Sequence, residues 1–217
     1  MRPYANRAEA GSFVAEAFAG LKRERVVVAA LPRGGVGVAL PIARTLNAPL
    51  TLSFVRKLVL GRVPELAVGA VDEDGEVITD ASTLAALGAS LDELAAARTR
   101  AECELARQRE AFAVTPLAAY LPEASVVLVD DGPATGLTLR AAVAHARRHG
   151  AREVIVAVPC SSASAARRLE KEADRFICPR VDRDFFAVGR YYADFHQVGD
   201  AEVLALLERS RGQAAPS

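Results

Sequence analysis

The feature of this sequence that most constrains its fold is an apolar run followed by two acids and a loop of small residues. Residues 126–129 are only valine and leucine, which is typical of a strand buried on both faces of a parallel sheet. Asp130 and Asp131 follow directly, and a Gly-Pro-Ala-Thr-Gly loop at 132–136 leads into a segment with helical spacing. The stretch predicts one strand–loop–helix unit of an open α/β sheet, with a ligand site at the carboxyl end of the strand.

The loop is a predicted anion site. A helix that begins near Gly136 leaves its first backbone N–H groups unpaired and carries partial positive charge there, which suits a phosphate. The hydroxyls of Thr135 and Thr138 can donate to phosphate oxygens. Asp130 and Asp131 repel a phosphate, so we expect them to accept hydrogen bonds from sugar hydroxyls or to face a metal ion that the phosphates carry.

This stretch resembles the phosphoribosyl pyrophosphate (PRPP) signature of the type I phosphoribosyltransferases. That signature is an apolar strand, two acids, two variable residues, Ser or Thr, Thr, Gly, any residue and Thr. The sequence matches it at Asp130, Asp131, Thr135, Gly136 and Thr138 and departs from it at Ala134. In the hypoxanthine-guanine branch the departing position holds a carboxylate that acts on the purine ring, so Ala134 argues against a simple 6-oxopurine acceptor. The resemblance implies that PRPP contacts Asp130, Asp131, Gly132, Ala134, Thr135, Gly136, Leu137 and Thr138.

The resemblance also implies an α/β fold, a Rossmann-like doubly wound and mostly parallel sheet with a small hood. We expect a single domain over 1–211, with a loop, hairpin and long helix inserted at 60–115, and a disordered tail at 212–217. An Asp-Gly pair between two apolar runs predicts the hairpin, and Ser90 with Glu93 predicts a capping box at the start of the long helix. Further predicted strands are 26–31, 50–55, 153–158 and 175–178, and further helices are 7–23, 37–46, 136–149, 161–171 and 201–208.

A second glycine loop follows the first predicted strand. Arg33, Gly34 and Gly35 stand there, but a dinucleotide fingerprint is not met, because its third small residue falls on Leu40 and the next strand ends in Arg56-Lys57 rather than in an acid. The loop resembles the pyrophosphate loop of the phosphoribosyltransferases. That implies a cis peptide bond at Pro32-Arg33, backbone N–H groups of Gly34 and Gly35 on the diphosphate, and charge from Arg33. A plain tight turn is the alternative.

Arg56 and Lys57 are placed by the pattern at the end of the strand 50–55, ahead of a loop punctuated by Gly61 and Pro64. The pair resembles the Arg-Lys that precedes the flexible catalytic loop of orotate and adenine phosphoribosyltransferases, which implies contacts with the leaving diphosphate. Two surface cations are the alternative. The residues that the resemblance implies for catalysis are Asp130, Asp131, Arg33 and Lys57.

Residues 181–198 concentrate the aromatic side chains of the sequence. Phe186-Ala187-Val188-Gly189 resembles the Phe-Val-Val-Gly of hypoxanthine-guanine phosphoribosyltransferases. That implies that Phe186 stacks on the acceptor base and that Asp194, offset by one position, helps to hold a metal. An aromatic cluster of the core is the alternative.

Composition excludes several other classes. The charges balance at 27 basic and 27 acidic residues, which argues against nucleic acid as a partner. No apolar run approaches a membrane span and no signal-peptide core is present. Three separated cysteines predict a reducing, cytoplasmic location, and His145, His149 and His196 have no recognisable catalytic pairing with them. The long charged helix either covers the site or serves a homo-oligomer.

The predicted activity is that of a PRPP-dependent phosphoribosyltransferase, a pentosyltransferase. It would move the 5-phosphoribosyl group of PRPP to a nitrogen nucleophile, a nucleobase, and release magnesium pyrophosphate, with Mg²⁺ carried by PRPP. Its partners would be small molecules. The alternative is a non-catalytic regulator of the same fold that senses PRPP or a nucleotide.

Overall fold

A computed structural model describes residues 2–20 and 24–211. In chain order the elements are α1 (Arg7–Ala15), β1 (Val26–Ala30), α2 (Gly35–Leu46), β2 (Leu50–Leu52), β3 (Val55–Leu60), β4 (Val63–Asp72), β5 (Val77–Thr79), α3 (Ala81–Leu87), α4 (Leu91–Phe112), β6 (Ser125–Val129), α5 (Leu137–Arg148), β7 (Glu153–Ala157), β8 (Cys160–Ser162), α6 (Ala163–Glu172), β9 (Arg175–Ile177), β10 (Arg180–Asp182) and α7 (Asp200–Arg211). Short 3-10 turns lie at Glu16–Phe18, Leu117–Ala119 and Val188–Tyr191.

The centre of the fold is a five-stranded sheet in the order β2-β1-β6-β7-β9, and every pairing in it is parallel. All residues of β1 and β6 are buried, because helices cover both faces of the sheet. Val28 and Val127 pack on the side of α2, whereas Val27 and Leu128 pack on the side of α5. This confirms the doubly wound α/β fold.

A second, antiparallel sheet of the order β3-β4-β5 forms the inserted region. The expected strand 50–55 is wrong, since β2 ends at Leu52 and Val55 already opens β3 in the second sheet. Arg56 and Lys57 therefore lie inside β3 and not at the end of a central strand. In place of the expected loop, β3 pairs with β4 in a hairpin whose turn lies at residues 61–62. The insertion begins at Val55 and not at 60. The apolar residues 50–55 form one continuous run, and hydrophobicity alone does not indicate that the chain passes from one sheet to the other within it.

Several helix boundaries differ from the pattern. The first helix ends at Ala15 and continues only as a 3-10 turn, while residues 21–23 of the expected helix and the tail 212–217 lie outside the described residues. α2 begins at Gly35, two residues early, with Pro41 inside it. The two-stranded β8–β10 sheet was not expected. α4 has the predicted capping box at Ser90 and Glu93. None of the described helices is long and apolar enough to cross a membrane.

Gln108 is an anomaly on the buried face of α4. The residue is fully buried among Ala101, Leu105 and Phe112 of the same helix, and neither atom of its amide has a hydrogen-bond partner among the described residues. An unpaired buried amide destabilises the native state. We expect Gln108→Met, which keeps the volume and removes the amide, to raise the free energy of unfolding by about 1 kcal/mol in urea denaturation. Gln108→Glu should lower it, and a loss with methionine would contradict the assignment.

Candidate active site

One cavity of about 470 Å³ lies where the ends of β1 and β6 face the inserted strand β3. It brings together residues that are far apart in the sequence and that the sequence singled out. They are Gly34, Arg56, Lys57, Asp130, Asp131, Gly132, Ala134, Thr135, Gly136 and Thr138. Leu31, Pro32, Val55, Val59, Pro133 and Val188 complete its lining. Arg33, Gly35, Leu137, Phe186 and Asp194 lie outside this lining.

The loop after β6 passes through a left-handed glycine into α5 and is held by hydrogen bonds from β8. Gly136 is the residue before α5 and has φ of 77°. Glycine adopts this left-handed conformation readily because it has no Cβ to clash with the backbone. The loop is fixed from β8, where Ser162 donates its hydroxyl to the carbonyl oxygen of Ala134 at 2.6 Å and its N–H to Pro133 at 3.1 Å. The side chain of Leu137 is buried in the core, so only its backbone is available to a ligand.

Asp131 is held in place by a largely buried ion pair. Its Oδ2 accepts from Nε of Arg7 at 2.9 Å, with side chains only 15% and 10% exposed. The guanidinium of Arg7 also donates to the carbonyl of His196 and stacks on the ring of Phe195, 4.0 Å from its centroid. The hydroxyl of Tyr192 donates to the Asp131 carbonyl at 2.6 Å. These contacts orient Asp131 before any ligand arrives.

The close approach of the two loops depends on Gly34. A Cβ at that position would lie 2.0 Å from Oδ2 of Asp131, so any side chain would displace the carboxylate. Gly35 has a different role, because a Cβ there would meet the carbonyl oxygen of Val129 at 2.6 Å. Gly35 thus packs α2 against β6, and Gly34 is the glycine that reaches the cavity.

Asp130 stands beside Asp131 with a strongly shifted pKa. Burial raises the pKa of Asp130 to about 7, and the charge of Asp131 adds to the shift, whereas the ammonium group of Lys57 opposes it. Its Oδ1 accepts the backbone N–H of Asp131 at 2.9 Å. A carboxyl group that changes protonation near neutral pH is suited to hydroxyls or to a cation, and it is typical of functional sites.

Cations gather on the opposite side of the cavity. Arg56 lines it, and burial lowers its pKa, while the charge of Glu104 opposes that shift and nearby Arg33 and Arg107 add to it. Arg33 itself forms an ion pair with Asp200 at 3.3 Å, and Asp200 also binds Arg107 at 2.9 Å. The Pro32-Arg33 peptide bond is cis, as the resemblance implies.

The aromatic segment 181–198 lines the cavity through one residue, but Phe186 and Asp194 lie outside the lining. Phe186 is 78% exposed, with the guanidinium of Arg190 over its ring at 4.6 Å, and the segment reaches the cavity through Val188 instead. Asp194 pairs with His196 at 3.0 Å and lines a separate cavity of about 310 Å³. Sequence reasoning missed Arg7, Tyr192 and Asp200, because they lie in no motif and reach the site only through folding.

Comparisons with known proteins show the family to which the chain belongs. A model of the phosphoribosyl transferase domain matches residues 5–195. A Mycobacterium tuberculosis protein, provisionally named a phosphoribosyl transferase and present in two strains, is 40% identical over 212 residues, which are 97% of this chain and 47% of the relative. The chain thus spans about half the length of the curated relatives it matches. The crystal structure of TT1426 from Thermus thermophilus superimposes with a TM-score of 0.75 and 38% identity over 96% of this chain and 99% of that one. The chain belongs to the phosphoribosyl transferase domain family, and its resemblance to that family is confirmed.

The ion pair between Arg7 and Asp131 should contribute measurably to stability. We expect Arg7→Met to lower the free energy of unfolding by about 2 to 3 kcal/mol, because it leaves a largely buried carboxylate without its cation. Arg2→Met is the matched control, since Arg2 pairs with Glu9 at 2.8 Å but is 82% exposed, and its loss should stay within about 0.5 kcal/mol. Urea denaturation at pH 7 measures both, and equal losses would refute the role of the buried pair.

The shifted pKa of Asp130 predicts a pH dependence of stability. The native state keeps the Asp130 proton up to about pH 7, whereas the unfolded chain releases it near 3.8, so this group makes stability fall as pH rises through that interval. We expect the difference in unfolding free energy, wild type minus Asp130→Asn, to decrease from pH 5 to pH 8 by about 1 kcal/mol or more. Burial also raises the pKa of Glu73 to about 7, but both proteins contain Glu73, so its contribution to the pH dependence cancels in the difference. Parallel curves would contradict the shift.

Proposed function

We propose that this chain is a PRPP-dependent phosphoribosyltransferase that moves the 5-phosphoribosyl group to a ring nitrogen of a nucleobase and releases magnesium pyrophosphate. The observation that carries the proposal is one cavity, of about 470 Å³, in which an acid pair, a helix N-terminus and two cations face one another. This combination suits a ligand with a sugar between two phosphate groups better than it suits a plain anion. Membership of the family supports the same reaction class.

The roles follow from position along the cavity. The backbone of the loop that ends at Gly136, together with the hydroxyls of Thr135 and Thr138, would bind the 5′-phosphate. Asp130 would accept hydrogen bonds from the ribose hydroxyls, and Asp131, held by Arg7, would face the same ring. These contacts fix the sugar at the end of β6.

The diphosphate would lie between the glycine loop and β3. There the backbone of Gly34 and the side chains of Arg56 and Lys57 line the cavity. Arg33, half-buried beside Asp200, would reach the diphosphate after exchanging that ion pair for the ligand. Charge on these groups stabilises the departing pyrophosphate, and bidentate arginine contacts suit phosphate oxygens.

The donor set of the cavity fits Mg²⁺. Carboxylate oxygens are ligands that Mg²⁺ prefers, and Asp130 offers them beside the expected place of the diphosphate. Mg²⁺ supplies neutralisation of charge on the leaving pyrophosphate. Asp131 would assist Asp130 in holding it, whereas Asp194 faces a different cavity and is not assigned to this site.

The reaction requires no covalent intermediate with the protein. Displacement at C1 of the ribose passes through a transition state with oxocarbenium character, so catalysis comes from positioning and from preorganised charge. The acceptor base would enter on the side of Val188, and Phe186, exposed at the start of that segment, would close over it. A small molecule is the expected partner, in a reducing cytoplasm that suits three free cysteines.

A second candidate function is a regulator that binds PRPP or a nucleotide without turnover. The observation in its favour is the lining of the cavity, which holds Ala134 where the hypoxanthine-guanine enzymes of the family place a carboxylate. Among the described lining residues Asp130 and Asp131 are the only acids, and in our proposal both are already used for the ribose hydroxyls and Mg²⁺.

Calorimetric titration tests the site directly. With Mg²⁺ present, we expect PRPP to bind the wild type, and Asp130→Asn to bind at least about tenfold more weakly, because the ribose hydroxyls lose a charged acceptor. Asp92→Asn, at an exposed position in the first turn of α4, is the matched control and should bind as the wild type does. Equal affinity of all three proteins would reject the assignment of the cavity.

Turnover then separates the two candidates. Pyrophosphate release is measured with PRPP, Mg²⁺ and each of a panel of purine and pyrimidine bases. Release that depends on one base and is lost in Asp130→Asn supports the transferase. Binding of PRPP without release for any base supports the regulator and refutes the proposed reaction.

A further inference from the structure

A second cluster of ligand-type side chains lies at the far end of α5 from the proposed phosphate loop. His145 and His149 are one helical turn apart and face the tight turn between β4 and β5. Glu73 and Asp74 project from that turn, where Asp72 accepts the N–H groups of Asp74 and Glu76 through Oδ1. Two imidazoles from a helix thus meet two carboxylates from the inserted sheet.

The ligand atoms converge, and those of His145 and Glu73 have no hydrogen-bond partner among the described residues, whereas Asp74 accepts from His149 at 2.8 Å. Nε2 of His145 lies 3.6 Å from Oδ2 of Asp74 and 3.7 Å from Oε1 of Glu73, beyond hydrogen-bond length. His145 is only 1% exposed, and neither of its ring nitrogens has a hydrogen-bond partner among the described residues. The same holds for Oε1 of Glu73, which is also buried. Buried polar atoms of a native protein normally have partners, so a missing ligand explains both.

The spacing of three of these ligand atoms suits a small tetrahedral cation. The ligand atoms of Asp74, His145 and His149 all lie within 4.8 Å of one another. Zinc bonds of about 2.0 to 2.1 Å place tetrahedral ligand atoms about 3.3 Å apart, close to the observed separations from His145. Nε2 of His149 and Oδ2 of Asp74, now 2.8 Å apart, need to separate by only about half an ångström for that geometry.

The charges leave room for a cation. Arg148 binds Asp72 at 2.6 Å and Asp74 at 3.2 Å, and Arg109 faces Glu73. Asp72 and Asp74 balance the charges of Arg148 and Arg109, so the cluster carries no excess positive charge even when Glu73 is protonated.

We propose that Glu73, Asp74, His145 and His149 form a zinc-binding site that ties the inserted sheet to α5. Nitrogen ligands favour zinc over Mg²⁺, which takes oxygen ligands in an octahedron, so this site is distinct from the magnesium of the proposed reaction. Asp74, His145 and His149 would supply three ligand atoms, and Glu73, whose Oε1 lies 3.7 Å from Nε2 of His145, would close the fourth position as in structural zinc sites. Because Val71 of β4 pairs with Arg56 of β3, the metal would also steady the cationic side of the cavity.

Titration of the full chain with Co²⁺ tests the site, because tetrahedral Co²⁺ absorbs strongly in the visible range. For this titration the chain is prepared without a histidine tag and is first treated with EDTA to remove bound metal. We expect one equivalent of Co²⁺ to develop this spectrum and one equivalent of Zn²⁺ to abolish it, while Mg²⁺ has no effect. His149→Gln and Asp74→Asn should each weaken Co²⁺ binding at least about tenfold. Both side chains are partly exposed, at 33% and 38%, so these variants are expected to fold.

The matched control is His196→Gln. His196 also lies between carboxylates, those of Asp194 and Glu202, but through its two different nitrogens and on the surface. Its replacement should leave Co²⁺ affinity unchanged. Absence of a tetrahedral spectrum, or equal affinity in His149→Gln and the wild type, would overturn the proposal.

Thermal unfolding gives a readout that does not depend on absorption or on transferase activity. Saturating Zn²⁺ should raise the Tm of the wild type by about 3 °C or more over the EDTA-treated protein. His149→Gln should show no such rise. An equal rise in both proteins would place the zinc elsewhere and overturn the site.

Discussion

The structure depends most on the parallel pairing of β1 with β6. Ala30 stands opposite Val129, and the N–H of Leu31 donates to the carbonyl of Val129 at 2.8 Å, so the two strands end together. The glycine loop and the acidic loop are thereby adjacent. They approach so closely that only glycine fits at position 34. This register is enough to form a cavity between the two loops, because parallel strands direct their carboxyl ends to the same edge of the sheet.

Charge separation across the cavity follows from that frame. One wall carries Asp130 and Asp131, and the other carries Arg56 and Lys57 from a different sheet. The acid pair costs stability, since burial and mutual repulsion hold the pKa of Asp130 well above its ordinary value. Arg7 relieves part of this repulsion at Asp131. Strongly shifted pKa values of this kind cluster at functional sites, and the surrounding core tolerates their cost.

The inserted sheet connects the two ends of α5. Its first strand lines the cavity near the start of that helix, while the turn between β4 and β5 meets the last turn of the helix at His145 and His149. Glu73 and His145 bury polar atoms there without partners among the described residues. A ligand that satisfied these atoms would stabilise the contact between the insertion and the helix.

The sequence by itself determined the doubly wound sheet, the loop–helix junctions at Gly34 and Gly136 and the family, because these depend on local patterns of apolar residues, acids and glycines along a few turns of chain. It did not determine that residues 50–55 divide between two sheets, since hydrophobicity is the same in both. Only the tertiary structure placed Arg7 on Asp131, 124 residues away, and Asp200 on Arg33. It likewise brought His145 and His149 to Asp74. Such contacts are between side chains far apart in sequence, and no local pattern encodes them.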